Sequence, residues 1–389
     1  MTATPPPRTF PQEEFEARAE AARRRMHDQQ VDVLLLTTEP DVRWLSGFDT
    51  RLWLSPTRPW FLLLPREGEP VAVVPEIGAP VMARTWVRDV RTWPAPVPAD
   101  DGVTLLAGAI HELAGPTGRL GVPMGPETHL RMPLADWASL RSRVPEVAVV
   151  DATAVVAGAR MVKSEAEVDR IRHVCGLASD AFDQLPGLVA EGQPLSELFR
   201  EFRVELLRHG VDDVAYLVGA AAPGGYADVI SPPTDTPVAA GDLVMLETGS
   251  VYAGYFCDFD RNLAVGHADD EVHRAYDTLH RAVEAGLAAV RPGARCSDLH
   301  AAMAAVVEAD GWPVGDVGRF GHGLGSQLTE WPSHTPDDHT VLRPGMVLTL
   351  EPRLTVAPGR SMVHEEDLVV REDGPELLTR RAPAELPVV

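Results

Sequence analysis

"GHGLGSQLTEWP", Gly321–Pro332, sets one histidine, His322, among three glycines. A histidine so placed has no bulky neighbour in sequence to pack against. The acids elsewhere in this half of the chain suggest what its imidazole is for. Glu247 sits in "VMLETG", Asp258 in "YFCDFDRN", Glu351 in "VLTLEP" and Glu365 in "MVHEEDLVV". All four are flanked by strand-forming residues. A carboxylate buried alone in such a setting loses several kcal/mol of hydration. Any one of them reads as salt-bridged or exposed. Four together, with a histidine in a glycine turn, point to a hard divalent cation, which takes oxygen ligands and tolerates an imidazole.

The whole chain bounds the remaining possibilities. Its 389 residues suffice for two domains, and 45% hydrophobic with 24% charged residues is a globular composition. A formal net charge of -22 argues against nucleic acid or an anionic membrane as partner, and otherwise reads as solubility. Three widely spaced cysteines, Cys175, Cys257 and Cys296, form no CxxC pair and fit a reducing compartment. The N-terminus carries no signal-like apolar run, and runs such as "VDVLLL" fall far short of the roughly 18 residues of a membrane span. The expectation is a soluble, cytoplasmic protein.

Organisation follows from periodicity. "EEFEARAEAARRRMHDQQ" reads as an exposed helix, and "VDVLLLTT", "WFLLLP", "VAVVP", "GRLGVP" and "EVAVVDAT" as strands, with a helix at "GVTLLAGAIHELAG". That alternation predicts a small α/β domain over residues 1–157. In residues 158–389, Ser164 and Glu167 make a capping box before a long helix, and Gly210 ends a second one. Two more helices follow at "DEVHRAYDTLHRAVEAGLAAV" and "CSDLHAAMAAVVEADG". Strands at "GDLVMLETGSVYAGYFCDFDRNLAVG", "GMVLTLEPRLTV" and "MVHEEDLVVRED" make this part α+β, with antiparallel strands facing a helical layer.

From Val162 to the C-terminus the sequence resembles the pita-bread family of methionine aminopeptidases, aminopeptidase P, prolidases and creatinases, and the first half looks like the creatinase-type N-terminal domain of its longer members. The resemblance implies an antiparallel curved sheet with helices outside. It also implies five ligands around two metal ions: two aspartates eleven residues apart, a histidine in GHG(I/L)G, a glutamate before proline and a glutamate in a late strand. Here these positions are Glu247 and Asp258, His322, Glu351 and Glu365, implying one or two divalent ions (Mn, Fe, Co or Zn). The first position is glutamate, not aspartate. Two histidines of the peptidases are absent: Ile230 and Ser231 stand at one position and Thr329 at the other. Threonine donates a hydrogen bond but carries no positive charge. "LTEWPS" and "MVHEEDLVV" look more like the branch holding dimethylsulfoniopropionate lyases, ectoine hydrolases and creatinases.

The resemblance implies a metal-dependent hydrolase of the Xaa-Pro aminopeptidase or prolidase type, in which a metal-bound water attacks an amide C–N bond and Glu351 shuttles the proton. A non-peptidase small-molecule hydrolase or lyase, with or without metal, and a non-catalytic binding module are the alternatives. The partner is a dipeptide or small molecule, and a homodimer is expected. Thr329, Trp331, His334 and Tyr226 are candidate substrate contacts, while His334 and His339 read otherwise as exposed loop histidines. Asp260 reads as a salt bridge to Arg261 or another base, and His364 as structural because alternation points it away from Glu365. Trp53 and Arg51, in "RWLSGFDTRLWLSPTRPW", read as packing residues or as pocket-lining ones for a cationic or carboxylate ligand.

Overall fold

Aliphatic runs without a polar position form strands buried on both faces, and the N-terminal half is built on three of them. The computed structural model describes residues 4–55, 58–314 and 318–389. These divide into two compact units, residues 9–160 and residues 161–389 joined by the tail through Arg8.

In the first unit β1 (Val33–Leu36), β2 (Phe61–Pro65) and β3 (Val71–Pro75) are buried throughout. With β4 (Asp89–Trp93), β5 (Arg119–Val122) and β6 (Ala148–Asp151) they form one mixed sheet of order β4-β3-β2-β1-β5-β6. Alternate side chains divide between the faces. Leu34, Leu36, Leu62 and Leu64 pack with the helix Gln12–Asp28, whereas Val33, Leu35 and Leu63 pack with Val103–Ala114. Trp53 lies in this core, its ring 6.0 Å from those of Phe48 and Trp60, with the Arg131 guanidinium 5.1 Å away. The packing reading of this tryptophan holds, and Arg51 is exposed. Residues 56 and 57 of the same stretch lie outside the described residues.

The second unit opens as its capping signal predicts. Ser164 Oγ accepts from the Glu167 N–H and the Glu167 side chain accepts from the Ser164 N–H, starting the helix Glu165–Phe182. Gly210, at φ 107°, ends the helix Leu195–His209. Helices Asp270–Ala289 and Cys296–Ala309 follow. The strands are β7 (Asp213–Pro223), β8 (Asp242–Tyr252), β9 (Tyr255–Phe256), β10 (Phe259–Ala264), β11 (His322–Gly323), β12 (Glu330–Ser333), β13 (Val347–Leu350), β14 (Arg353–Ala357), β15 (Arg360–Val363), β16 (Glu366–Arg371) and β17 (Gly374–Leu377). They pair antiparallel as β10-β8-β7 with β9 beside β8, as β12-β11-β13-β16-β17, and as the hairpin β14-β15. Side chains of helices Asp270–Ala289 and Cys296–Ala309 form a common core with Leu348, Leu350, Leu354 and Leu368.

One departure positions the site. "GMVLTLEPRLTV" reads as one strand but is two, in different sheets. Pro352 has no N–H to donate, and the chain leaves the sheet at Glu351–Pro352. His364–Glu365 likewise separates β15 from β16, and Cys257–Asp258 separates β9 from β10.

Candidate metal centre

Three of the five predicted ligands, Asp258, Glu351 and Glu365, therefore lie at strand breaks, where the pleat no longer dictates side-chain direction. Glu247 lies inside β8, paired with Val218 on one side and Asp260 on the other. His322 opens the two-residue strand β11. Ligand atoms of Asp258, His322 and Glu365 lie within 4.8 Å of one another, and so do those of Glu247, Glu351 and Glu365. Two three-residue groups thus share Glu365.

The local bonding aims each group. His322 Nδ1 donates to the Gly323 carbonyl at 2.9 Å, which leaves the Nε2 lone pair 3.5 Å from Asp258 Oδ2. The His322 N–H donates to Thr349 Oγ1 at 3.2 Å, and the Glu351 N–H to the Phe320 carbonyl at 3.1 Å. Two further buried acids hold ligand backbones. Asp367 Oδ2 accepts the Asp258 N–H at 2.9 Å, and Asp260 Oδ1 accepts the Glu365 N–H at 2.7 Å.

Electrostatically the cluster is out of balance. Burial pushes the carboxyls of Glu247, Asp258 and Glu365 well above the usual range, and neighbouring carboxylates push them further. Burial lifts Glu351 to about 7 against the pull of Arg319 and Arg353, and lowers His322 to about 3. Asp258 Oδ1 and Glu365 Oε1 are buried with no hydrogen-bond partner. Orphaned carboxylate oxygens beside an unprotonated imidazole fit a hard or borderline divalent cation, whose charge would compensate the burial. The three cysteines are free and buried. Among the described residues no helix is long and apolar enough to cross a membrane.

A profile of Metallopeptidase family M24 matches residues 169–372, and one of the Creatinase/Prolidase N-terminal domain matches residues 18–162. The chain belongs to metallopeptidase family M24. Among its curated relatives in that family is a probable dipeptidase PepE of Mycobacterium bovis, 27% identical over 387 residues and 98% of each chain. A Xaa-Pro dipeptidase of Pyrococcus furiosus is 25% identical over 277 residues, which cover 70% of this chain and 76% of the relative. The crystal structure of dipeptidase PepE from Mycobacterium ulcerans, 28% identical, superposes with a TM-score of 0.85 over 98% of this chain and 99% of that one. A prolidase from Thermococcus sibiricus, 22% identical, shares the fold at a TM-score of 0.86 over 96% and 99%. The α+β pita-bread architecture and the creatinase-type first domain are those of the family.

The predicted substrate contacts divide. Thr329 is half-buried, its Oγ1 accepting from Arg319 at 3.4 Å. Trp331 is half-buried too, and its indole N–H finds no acceptor. Tyr226, by contrast, is in the hydrophobic core: its hydroxyl donates to Asn262 Oδ1 at 3.1 Å and accepts the Val363 N–H at 2.8 Å. It is a packing residue. His334 is neither an exposed loop histidine nor an accessible contact, because its side chain is fully buried. Its N–H donates to the Gly321 carbonyl at 2.8 Å and its carbonyl accepts from Phe320 at 2.9 Å, extending the β11–β12 ladder and turning the ring inward. Gly321, at φ 124°, leaves the space: a Cβ there would stand 2.7 Å from the imidazole. His339 is exposed. Asp260 takes Asn262 Nδ2 at 3.0 Å in place of Arg261, whose guanidinium pairs with Glu366. His364 is fully buried, its Nε2 against Arg381 at 2.8 Å.

Sequence reading passed over two residues. Tyr216, half-buried on β7, is close enough to all four ligand carboxylates for their charge to add to burial in raising its phenol. Arg319, three residues before His322, lowers Asp258 and Glu351 and stands over Thr329. No local pattern marks either one, since both are brought to the centre by strand register and loop path.

Proposed function

We propose that this chain is a metal-dependent hydrolase of the Xaa-Pro dipeptidase type, cleaving the amide C–N bond of a dipeptide. The observation that carries the reading is the pair of ligand groups sharing Glu365, with Glu247, Asp258, His322 and Glu351 as the other ligands. Relatives named as dipeptidases and a Xaa-Pro dipeptidase support it. Bound there, one or two divalent ions (Mn, Fe, Co or Zn) would polarise the amide carbonyl and make water nucleophilic at neutral pH. Glu351 takes the proton from the attacking water and returns it to the leaving nitrogen, a role open to a carboxyl at the strand break that is grouped with Glu247 and Glu365. Neutral His322, pinned through Nδ1, offers Nε2 without tautomer exchange. Thr329, Trp331, Arg319 and Tyr216 form the substrate wall. Catalysis belongs to the division 158–389, following a creatinase-type domain over 1–157, in a cytoplasmic homodimer. Elemental analysis of the purified protein, with Xaa-Pro dipeptide assays before and after chelation, tests the proposal. Activity that survives complete metal removal refutes it.

One observation favours a second reading. The position of the peptidase histidine holds Thr329, bonded to Arg319, so the wall there presents a hydroxyl under a guanidinium. That suits a small-molecule hydrolase or lyase of the same fold. Ectoine, creatine and dimethylsulfoniopropionate assayed beside Xaa-Pro dipeptides separate the two, and rapid Xaa-Pro cleavage alone removes the second.

A further inference from the structure

Lys163 and Glu330 form an ion pair, Nζ to Oε2 at 3.1 Å, with side chains only 2% and 6% exposed. A pair buried this deeply does not by itself add stability, since a well-packed apolar replacement commonly serves as well. What the pair connects is more informative. Glu330 Oε1 accepts the Gln327 N–H at 3.1 Å from inside the turn after His322, and a Cβ on Gly325 would come within 2.7 Å of this carboxylate. The Gly325 carbonyl accepts the Phe256 N–H at 2.9 Å. The neighbouring Tyr255 hydroxyl donates to Glu167 Oε1 at 2.7 Å. Glu167 Oε2 accepts the Ser164 N–H at 2.9 Å, and Ser164 follows Lys163. The circuit closes: Lys163, Glu330, the glycine turn, Phe256–Tyr255, Glu167, Ser164 and back to Lys163.

Two ligands hang from this ring. His322 is three residues before Gly325, and Asp258 is two residues after Phe256; their facing atoms are 3.5 Å apart. Glu247, within β8, and Glu351, after β13, stand outside it. We infer that the Lys163–Glu330 pair and the Tyr255–Glu167 bond are a brace that positions Asp258 against His322, and so sets the cation affinity of the Asp258/His322/Glu365 group selectively over the Glu247/Glu351/Glu365 group. These are positioning residues, not catalytic ones. The inference rests on the proposed metal centre.

The test is calorimetric titration of the chelator-stripped, full-length protein with Mn²⁺, in which the binding event lost in His322→Ala marks the braced group. Lys163→Met should weaken that event tenfold or more, the range in which supporting shells act on metal affinity, and leave the other within about threefold. Tyr255→Phe, a far milder change, should weaken the same event severalfold, and Lys163→Arg should restore most of it. Lys163→Met/Glu330→Gln, which removes both charges of the pair, covers the case in which the single variant fails to fold. Equal weakening of both events, or none, overturns the brace while leaving the hydrolase reading intact. A wild-type protein that takes up none of Mn²⁺, Fe²⁺, Co²⁺ and Zn²⁺ overturns both.

Discussion

Replacing Glu366 by glutamine tests how the floor beneath the metal centre is held. The side chain is fully buried at the start of β16, directly after Glu365. It accepts from Arg261 at 3.1 Å, Arg381 at 3.0 Å, the Ala382 N–H at 2.9 Å and the Thr379 hydroxyl. Burial alone would raise its carboxyl, yet Arg261, His364, Arg381 and Thr379 hold it down at about 2. Glutamine keeps the shape but presents an NH₂ where a guanidinium needs an acceptor, and removes the carboxylate paired with Arg261. Removing one partner of a buried pair costs about 3–5 kcal/mol. Because Glu366 also fastens the segment Thr379–Ala382, the loss should be local to β16 and that segment. A loss of about 3 kcal/mol speeds hydrogen exchange on the order of 100-fold where opening limits it. Exchange mass spectrometry at pH 7 should find that acceleration over 366–371 and 379–382, with the residue 9–160 unit unchanged. Acceleration below tenfold in both segments would show that the guanidinium contacts are not what holds them.

Glu351→Gln, assayed at saturating metal because it also removes a ligand carboxylate, should lower kcat for the cleaved dipeptide by about 10³-fold or more with KM within threefold; a change confined to KM would take proton transfer from it. Tyr216→Phe keeps the ring and removes the hydroxyl near the four acids, so KM should rise severalfold without loss of bound metal; unchanged kinetics would remove it from the substrate wall. His334 is buried with its imidazole lowered to about 4, chiefly by burial, against an ordinary 6.5. The unfolded chain therefore binds a proton that the fold refuses. Its contribution to stability is fully present above pH 6.5 and should fall by about 3 kcal/mol as pH drops to 4, so in melts of the stripped protein the wild type should lose about that much relative to His334→Asn across this window. Gly321→Ala, at φ 124° with Thr349 O 2.2 Å from the new Cβ, should destabilise the second unit by about 2 kcal/mol or more in urea unfolding.

The ligand spacings were legible because they are properties of backbone turns. A glycine that must leave room for an imidazole, a proline that must end a strand and a capping serine announce themselves locally. Side-chain direction was not legible where strand alternation was assumed to run through a break. Asp258, Glu351 and Glu365 stand at such breaks, and His334 was turned inward by a ladder that only the folded chain reveals. There is a physical reason for ligands to sit there. Within a strand, the pleat alternates side chains between two faces, so successive strands present at most every second residue to one point. At a break that constraint lapses, but the backbone N–H loses its ladder partner and needs another. Here each one has it: Asp258 from Asp367, Glu365 from Asp260 and Glu351 from Phe320. Two of these acceptors are themselves buried carboxylates. Asp260, read in the sequence as a salt-bridge partner, and Asp367 are therefore what allow the ligand carboxylates to leave the pleat and converge, and Asp260→Ala should disturb Glu365, common to both groups, and weaken both binding events together.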